Sequence, residues 1–460
     1  YNTVVGDEAG TAITTGDNNV AVGFEALKTN ATSAQNTAVG HTALKLNTAA
    51  NNTAFGYAAL TANSTGTYNV ALGRSAGAAI TTGIENTIGG ARAGAALTTG
   101  QENAVFGQQA LSADTAGNHS TAIGHGALFS QNFTSSTDSN NTAVGFSAGA
   151  AVTTGISNTL IGGLTGDAIT TGGSNSAVGA EALGATTTGN SNVAVGRWSM
   201  AANTTASENV AVGVASLSTN TTGTANVAVG HLALNLSTTA SNNTAVGMRA
   251  LTANTTGVNN TATGMNSLTA NTTGAHNASF GMNSMPSNTT GSNNTSLGKD
   301  TMIANTTGGS NVAVGAGALA TNTTASNNVA VGQQALYLNT TGANNTASGY
   351  FALGANTTGA TNTAVGANAG DAITTGVANT LLGYLAGTYL TNLTTGGTNT
   401  LIGAFCKTNA ADSTFAIGLG YNLICDSGYT TLGANTSDIR ALHGTATWAA
   451  VSDQRYKKDI

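Results

Sequence analysis

The pentapeptide Asn-Thr-Ala-Val-Gly returns along this chain with a period that leaves few folds open. Counting its Asn as position 0, 24 units begin between Asn2 and Asn399, and 20 of the 23 spacings are 17 residues. The exceptions are 16 (Asn36 to Asn52), 21 (Ser120 to Asn141) and 20 (Asn379 to Asn399), and from Asn141 to Asn379 the register never slips. A fixed period of this kind marks a stacked repeat, in which each unit buries its apolar face only against its neighbours. The consensus N-T-A-V-G-x-x-A-L-x-x-N-T-T-G-x-x leaves no helical run, because Gly at position 4 of every unit and the Asn-Thr-Thr-Gly segment interrupt it. The expected fold is therefore all-β: a parallel β-solenoid or β-roll of about 24 coils. Each coil reads as a strand over positions 0–3, a Gly turn, a second strand near positions 7–11 and a Thr-Thr-Gly turn. Stacking places like residues about 4.8 Å apart, so the position-0 asparagines, with Ser120 the single exception, form a hydrogen-bonded ladder.

Position 2 is usually Ala (Ala21, Ala194, Ala330) and position 3 usually Val, Ile, Leu or Phe (Val22, Ile161, Leu297, Phe55). Alternation in a strand sends these to opposite faces. The bulky position-3 layer, Val229 included, is expected to fill the interior. Ala at positions 2 and 7 then forms a thin face approached closely by another chain, with His231 outside in the following turn. A correlated exchange adds to this. Where position 8 is Leu or Met, position 11 is polar, as in Leu251 with Asn254; where position 8 is Gly, position 11 is aliphatic, as in Gly77 with Ile80, Gly166 with Ile169 and Gly370 with Ile373. One large side chain per coil is kept while its attachment point moves, as an interior of fixed volume requires.

Only 7% of residues are charged and one is proline, against 62 glycines, which excludes a disordered chain and a collagen. The net charge of −6 is slight, and the basic residues are scattered apart from Arg455, Lys457 and Lys458, so no nucleic-acid footprint is present. No apolar run reaches the roughly 18 residues of a membrane helix. The chain opens at Tyr1 without a methionine or signal-like segment, so secretion is not legible at this end. Cys406 and Cys425 suit one disulfide or two buried free thiols equally well.

No enzyme site, metal site or cofactor motif emerges. The closest histidines, His119 and His125, lack metal-ligand partners and read as turn residues, and Gly162-Gly163 is a solenoid turn, not a phosphate loop. The two long units are the distinctive places. The first carries Phe129 and Phe133, read as exposed; the second carries Tyr389, Leu390, Asn392 and Leu393. Both are candidate lateral contacts for a glycan or a neighbouring fibre, or else tolerated loop insertions or apolar caps on a trimer seam.

Two stretches resemble known families. The N-x-A-V-G strand with its following alanine and second glycine turn, over residues 1–403, resembles the head repeats of trimeric autotransporter adhesins. That resemblance implies a left-handed parallel β-roll with three chains side by side. Ser452-Asp453-Gln454-Arg455-Tyr456-Lys457-Lys458-Asp459-Ile460 is similar to the opening of the intramolecular chaperone domain of phage tail fibres and tailspikes, which trimerises the fibre and releases itself. The resemblance implies Ser452 as nucleophile and Lys457 as its base in self-cleavage before Ser452. The expected organisation is a shaft over 1–403, degenerate repeats and a neck over 404–451, and a chaperone start over 452–460. The expected protein is non-enzymatic: a homotrimeric tail-fibre shaft on the virion, extracellular, needing no cofactor and inserting in no membrane. Its expected partners are itself, other tail or fibre proteins, and a host cell-surface glycan or protein receptor. The alternatives are a bacterial trimeric surface adhesin or extracellular filament and, less in keeping with paired threonines, an ice-binding solenoid.

Overall fold

In the computed structural model the chain forms two compact units, Tyr1–Thr239 and Ala240–Ile460. The structure describes residues 1–435, 437–445 and 449–450. Each unit is a parallel β-solenoid, with about 25 turns in all, and no helix occurs among the described residues. Within each unit, one three-residue strand per coil, at positions 1–3, pairs in register with the next. Val193, Ala194 and Val195 sit beside Val210, Ala211 and Val212 in the first unit, and Val312, Ala313 and Val314 beside Val329, Ala330 and Val331 in the second.

Among the described residues the expected second strand at positions 7–11 forms only at Lys407–Thr408, which pairs with Ile424–Cys425; in the other units it is absent. Positions 4–11 instead form successive hydrogen-bonded turns: Ala43 N–H donates to Gly40 O (3.2 Å) and Asn47 N–H to Leu44 O (3.2 Å). Position 8 is left-handed in 23 of the 24 units, Lys407 being the exception, at φ 48–55° where it is Leu or Met. A left-handed backbone cannot continue a β-strand. Holding a leucine there costs roughly 1–2 kcal/mol. It is offset by burial of the side chain and by hydrogen bonds between coils, such as Leu44 N–H to Ala59 O at 3.0 Å. Position 4 is stricter. Its φ lies between 123° and 146° in all 24 units, and a Cβ on Gly213 would meet Gly230 O at 2.6 Å. Only glycine stacks on glycine at that approach.

The facing of the strand is the reverse of that expected. Ala211 and Ala228 are fully buried, while Val212 and Val229 stand half-exposed outside. The reason is width. Position 2 faces position 8 across the interior, and with Leu or Met at 8 there is room opposite for little more than a methyl group. Glycine at position 8 makes room: Ile88, Leu160 and Leu381 replace the usual Ala at position 2, and a Cβ on Gly94, Gly149 or Gly370 would meet them at 3.1, 2.8 and 2.6 Å. The aliphatic residue at position 11 fills the rest, as when a Cβ on Gly166 would lie 2.8 Å from Ile169 Cδ1. Ile80, Leu97, Val152, Ile169 and Ile373 are all fully buried.

The interior carries two asparagine ladders. Within each compact unit the position-0 Oδ1 accepts from the backbone N–H of the corresponding residue one coil on, as Asn52 does from Asn69 (3.0 Å) and Asn103 from Ser120 (2.8 Å), while Asn52 Nδ2 donates to Gly66 O (2.9 Å) within its own coil. A second ladder, not foreseen from sequence, runs at position 11. From Asn254 to Asn356 each Nδ2 donates to the preceding Oδ1 at 2.8–3.0 Å. Burying these amides is tolerable because nearly every donor and acceptor finds a partner.

Near its end the second unit changes pairing. Ile417–Tyr421 pairs parallel with Tyr429–Ala434, which then pairs antiparallel with Ser437–Leu442. Arg440 is paired with Asp426 and lies over the Tyr429 ring at 5.3 Å.

Candidate interaction surface

Reversed facing puts the mostly apolar position 3 on the outer face of the strands, together with position 1, which is Thr or Ser in 15 units and Val or Ala in nine. None of the 24 units has a charged, Asn, Gln or His residue at either position, although the chain holds twelve Lys and Arg and eighteen Asp and Glu. Exposure is high for the larger members: 57% for Leu72, 54% for Phe55 and 49% for Leu297. Scattered exposed apolar residues are ordinary; an apolar side chain at position 3 of 21 of the 24 units, with Gly89, Thr263 and Ser348 the exceptions, is not. Beside this row runs position 5, where Phe24, His41 and Tyr57 stack at centroid separations of 5.0 Å and His125 stacks on Phe146 at 5.6 Å. Charged residues gather at positions 5, 6 and 9. Lys28 pairs with Glu8 and Glu25, and Glu25 also with Lys45 at 2.5 Å. The two lysines hold the Glu25 carboxyl down to about 2.

The two long units differ from their reading as plain exposed loops. Phe129 is exposed, but Phe133 is buried, 6% accessible, beneath Gly117. Gln131, at the inward-facing position 11, donates from Nε2 to Asp114 Oδ2 (2.7 Å) and Ser120 Oγ (2.8 Å), and its Oε1 accepts from Asn141 Nδ2 (2.9 Å). In the second long unit Leu393 is fully buried, the aliphatic partner of Gly387, while Leu390 is 81% exposed. Tyr389 packs against Phe405 (4.7 Å) and under Lys407 Nζ (4.6 Å). Period and composition mark both insertions; which of their residues turn inward depends on the coil each follows.

Ser452 and Lys457 lie outside the described residues. His119 sits between Glu102 (3.3 Å) and Asp138 (3.5 Å), whereas His125 belongs to the aromatic stack. Among the described residues no three His, Cys, Asp or Glu side chains converge as metal ligands. Cys406 and Cys425 are buried free thiols. Cys406 Sγ donates to Gly420 O (2.9 Å), and burial pushes the Cys425 thiol up to about 12. The chain matches no known family model, and neither a curated protein nor a solved structure shows significant similarity to it.

Proposed function

We propose that this chain is the shaft of a homotrimeric phage tail fibre, three copies lying parallel and in register, that presents host-receptor-binding regions outside the virion. The observation that carries the reading is the uncharged apolar row on the outer strand face. Burying it removes apolar area from water at about 25 cal/mol per Å². A partner must offer apolar groups at the same axial spacing along many coils, and a second copy of this chain does so by construction. The solenoid fits a structural fibre role; the phage assignment rests on the resemblance at residues 452–460.

Val212→Cys tests the arrangement directly. A parallel, in-register assembly brings identical positions together, so oxidation should join the introduced thiols of neighbouring chains, and native mass should correspond to three chains. A single-chain mass for the unmodified protein would end this proposal. The bacterial-adhesin alternative is separated by the coding sequence beyond residue 460, which continues into a chaperone domain for a tail fibre and into a membrane-anchor β-barrel for an adhesin. In a precursor carrying the chaperone domain, Ser452→Ala or Lys457→Ala should block its release while leaving the shaft assembled.

A further inference from the structure

Stacked coils of this kind build a continuous outer wall from the side chains at positions 5, 6 and 9. One coil interrupts it at all three positions. Of the 24 units, that beginning at Asn311 alone has Ala or Gly at all three positions: Ala316, Gly317 and Ala320. The result is a surface notch of about 320 Å³, one coil wide. This is at the lower end of the volumes that hold small ligands. Its floor is two methyl groups and bare backbone. The coil before supplies Lys299 and Asp300; the coil after supplies Gln333, Gln334 and the ring of Tyr337, whose Cδ2 lies 3.6 Å from where a Gly317 Cβ would stand.

We propose that this notch binds one neutral pyranose unit of a glycan. An apolar floor beside an aromatic ring suits the C–H face of a sugar. The rim then mixes donors and acceptors as vicinal hydroxyls require: the Asp300 carboxylate accepts, Lys299 donates, and each glutamine amide does both. Lys299 Nζ lies 3.5 Å from Asp300 Oδ2, so the two charges offset one another and the notch has no preference for an anion or a cation. Asp300 is also held in place by Asn283 Nδ2 at 3.1 Å, which leaves its second oxygen toward the lysine. The amides of Gln333 and Gln334 and the Tyr337 hydroxyl make no hydrogen bond within the described residues, so a ligand has them at no cost in broken protein contacts. The inference deepens the proposed attachment role and rests on it only for where such a glycan is met; the notch itself belongs to one chain.

The test is saturation-transfer NMR of the 460-residue chain with free galactose, glucose, N-acetylglucosamine and galacturonate. At least one neutral sugar should receive magnetisation. Gly317→Gln should abolish the signal by rebuilding the wall, while the chain still unfolds cooperatively at a melting temperature lowered only by the cost of a side chain at this left-handed position. Glutamine is accommodated at the equivalent position one coil on, where Gln334 has φ 57°. Tyr337→Ala should weaken binding by about tenfold, as loss of one ring contact would. Absence of signal from every neutral sugar, equal binding by Gly317→Gln, or a preference for galacturonate would each overturn the proposal. A chain that binds sugar yet has a single-chain mass would instead refute the trimeric shaft and leave the notch standing.

Discussion

Two kinds of coil fill the same interior in different ways. Coils of the first kind, as from Asn254 to Asn356, carry Leu or Met at position 8 and a buried Asn at position 11. Coils of the second kind, such as that of Gly370 and Ile373, carry Gly at position 8, an aliphatic at position 11 and often a larger residue at position 2. Position 8 is left-handed in both: φ is 50° at Leu353 and 61° at Gly370. The backbone path is therefore the invariant, and side-chain volume is moved around it. The exchange has a cost where the kinds meet. Asn63 precedes Ile80 and Asn356 precedes Ile373, and in each case the last asparagine Oδ1 of the ladder is buried without a partner. An orphaned acceptor of this sort costs about 1–3 kcal/mol.

The strand that both kinds share gives the largest expected effect. Ala228→Asp places an unpaired charge inside and should unfold the coils around it, a loss of several kcal/mol in denaturant unfolding. Val229→Asp should leave the single chain folded and abolish association in light scattering. Equal loss of folding in both would contradict the facing described above. Next, deleting residues 131–134 restores a 17-residue spacing but removes the buried Gln131 and Phe133. Loss of an aromatic core residue typically costs about 3–5 kcal/mol, so a lowered melting temperature is expected; an unchanged one would show these residues to be dispensable.

The comparison itself is sharpened by converting one coil. Leu268→Gly should cost about 2–5 kcal/mol through the cavity it leaves. Adding Asn271→Ile should recover part of this, because the aliphatic returns volume to the interior. Recovery stays incomplete, since Asn271 now accepts from Asn288 and donates to Asn254. A double variant no more stable than Leu268→Gly would break the idea of conserved volume. The smallest effect belongs to Gly163→Ala at position 5, where a Cβ would meet nothing within 4 Å. Its unfolding midpoint should stay within about 0.5 kcal/mol of the parent. Gly213→Ala, at φ 136° and 2.6 Å from backbone, should lose far more.

Much of the fold was legible in residue spacing. The period, the role of position 4, the position-0 ladder and the exchange between positions 8 and 11 all follow from which residue types recur where. The position-11 ladder had a signal too: Asn recurs at that position only in coils with Leu or Met at position 8. The candidate surface was harder. Apolar Val at position 3 and small Ala at position 2 fit either facing, because alternation separates two faces without saying which is inside.

That choice belongs to tertiary structure. The sequence by itself determined that one coil of 17 residues would recur with a glycine stacked on a glycine, because no other residue supplies that φ and that approach. Only the closed coil decided that Ala211 goes in and Val212 stays out, since the interior width is set by the turns at positions 4–11 and the leucine they turn inward. Likewise only stacking turned Ala316, Gly317 and Ala320 into a notch: three small residues become a cavity when the coils on either side carry large ones.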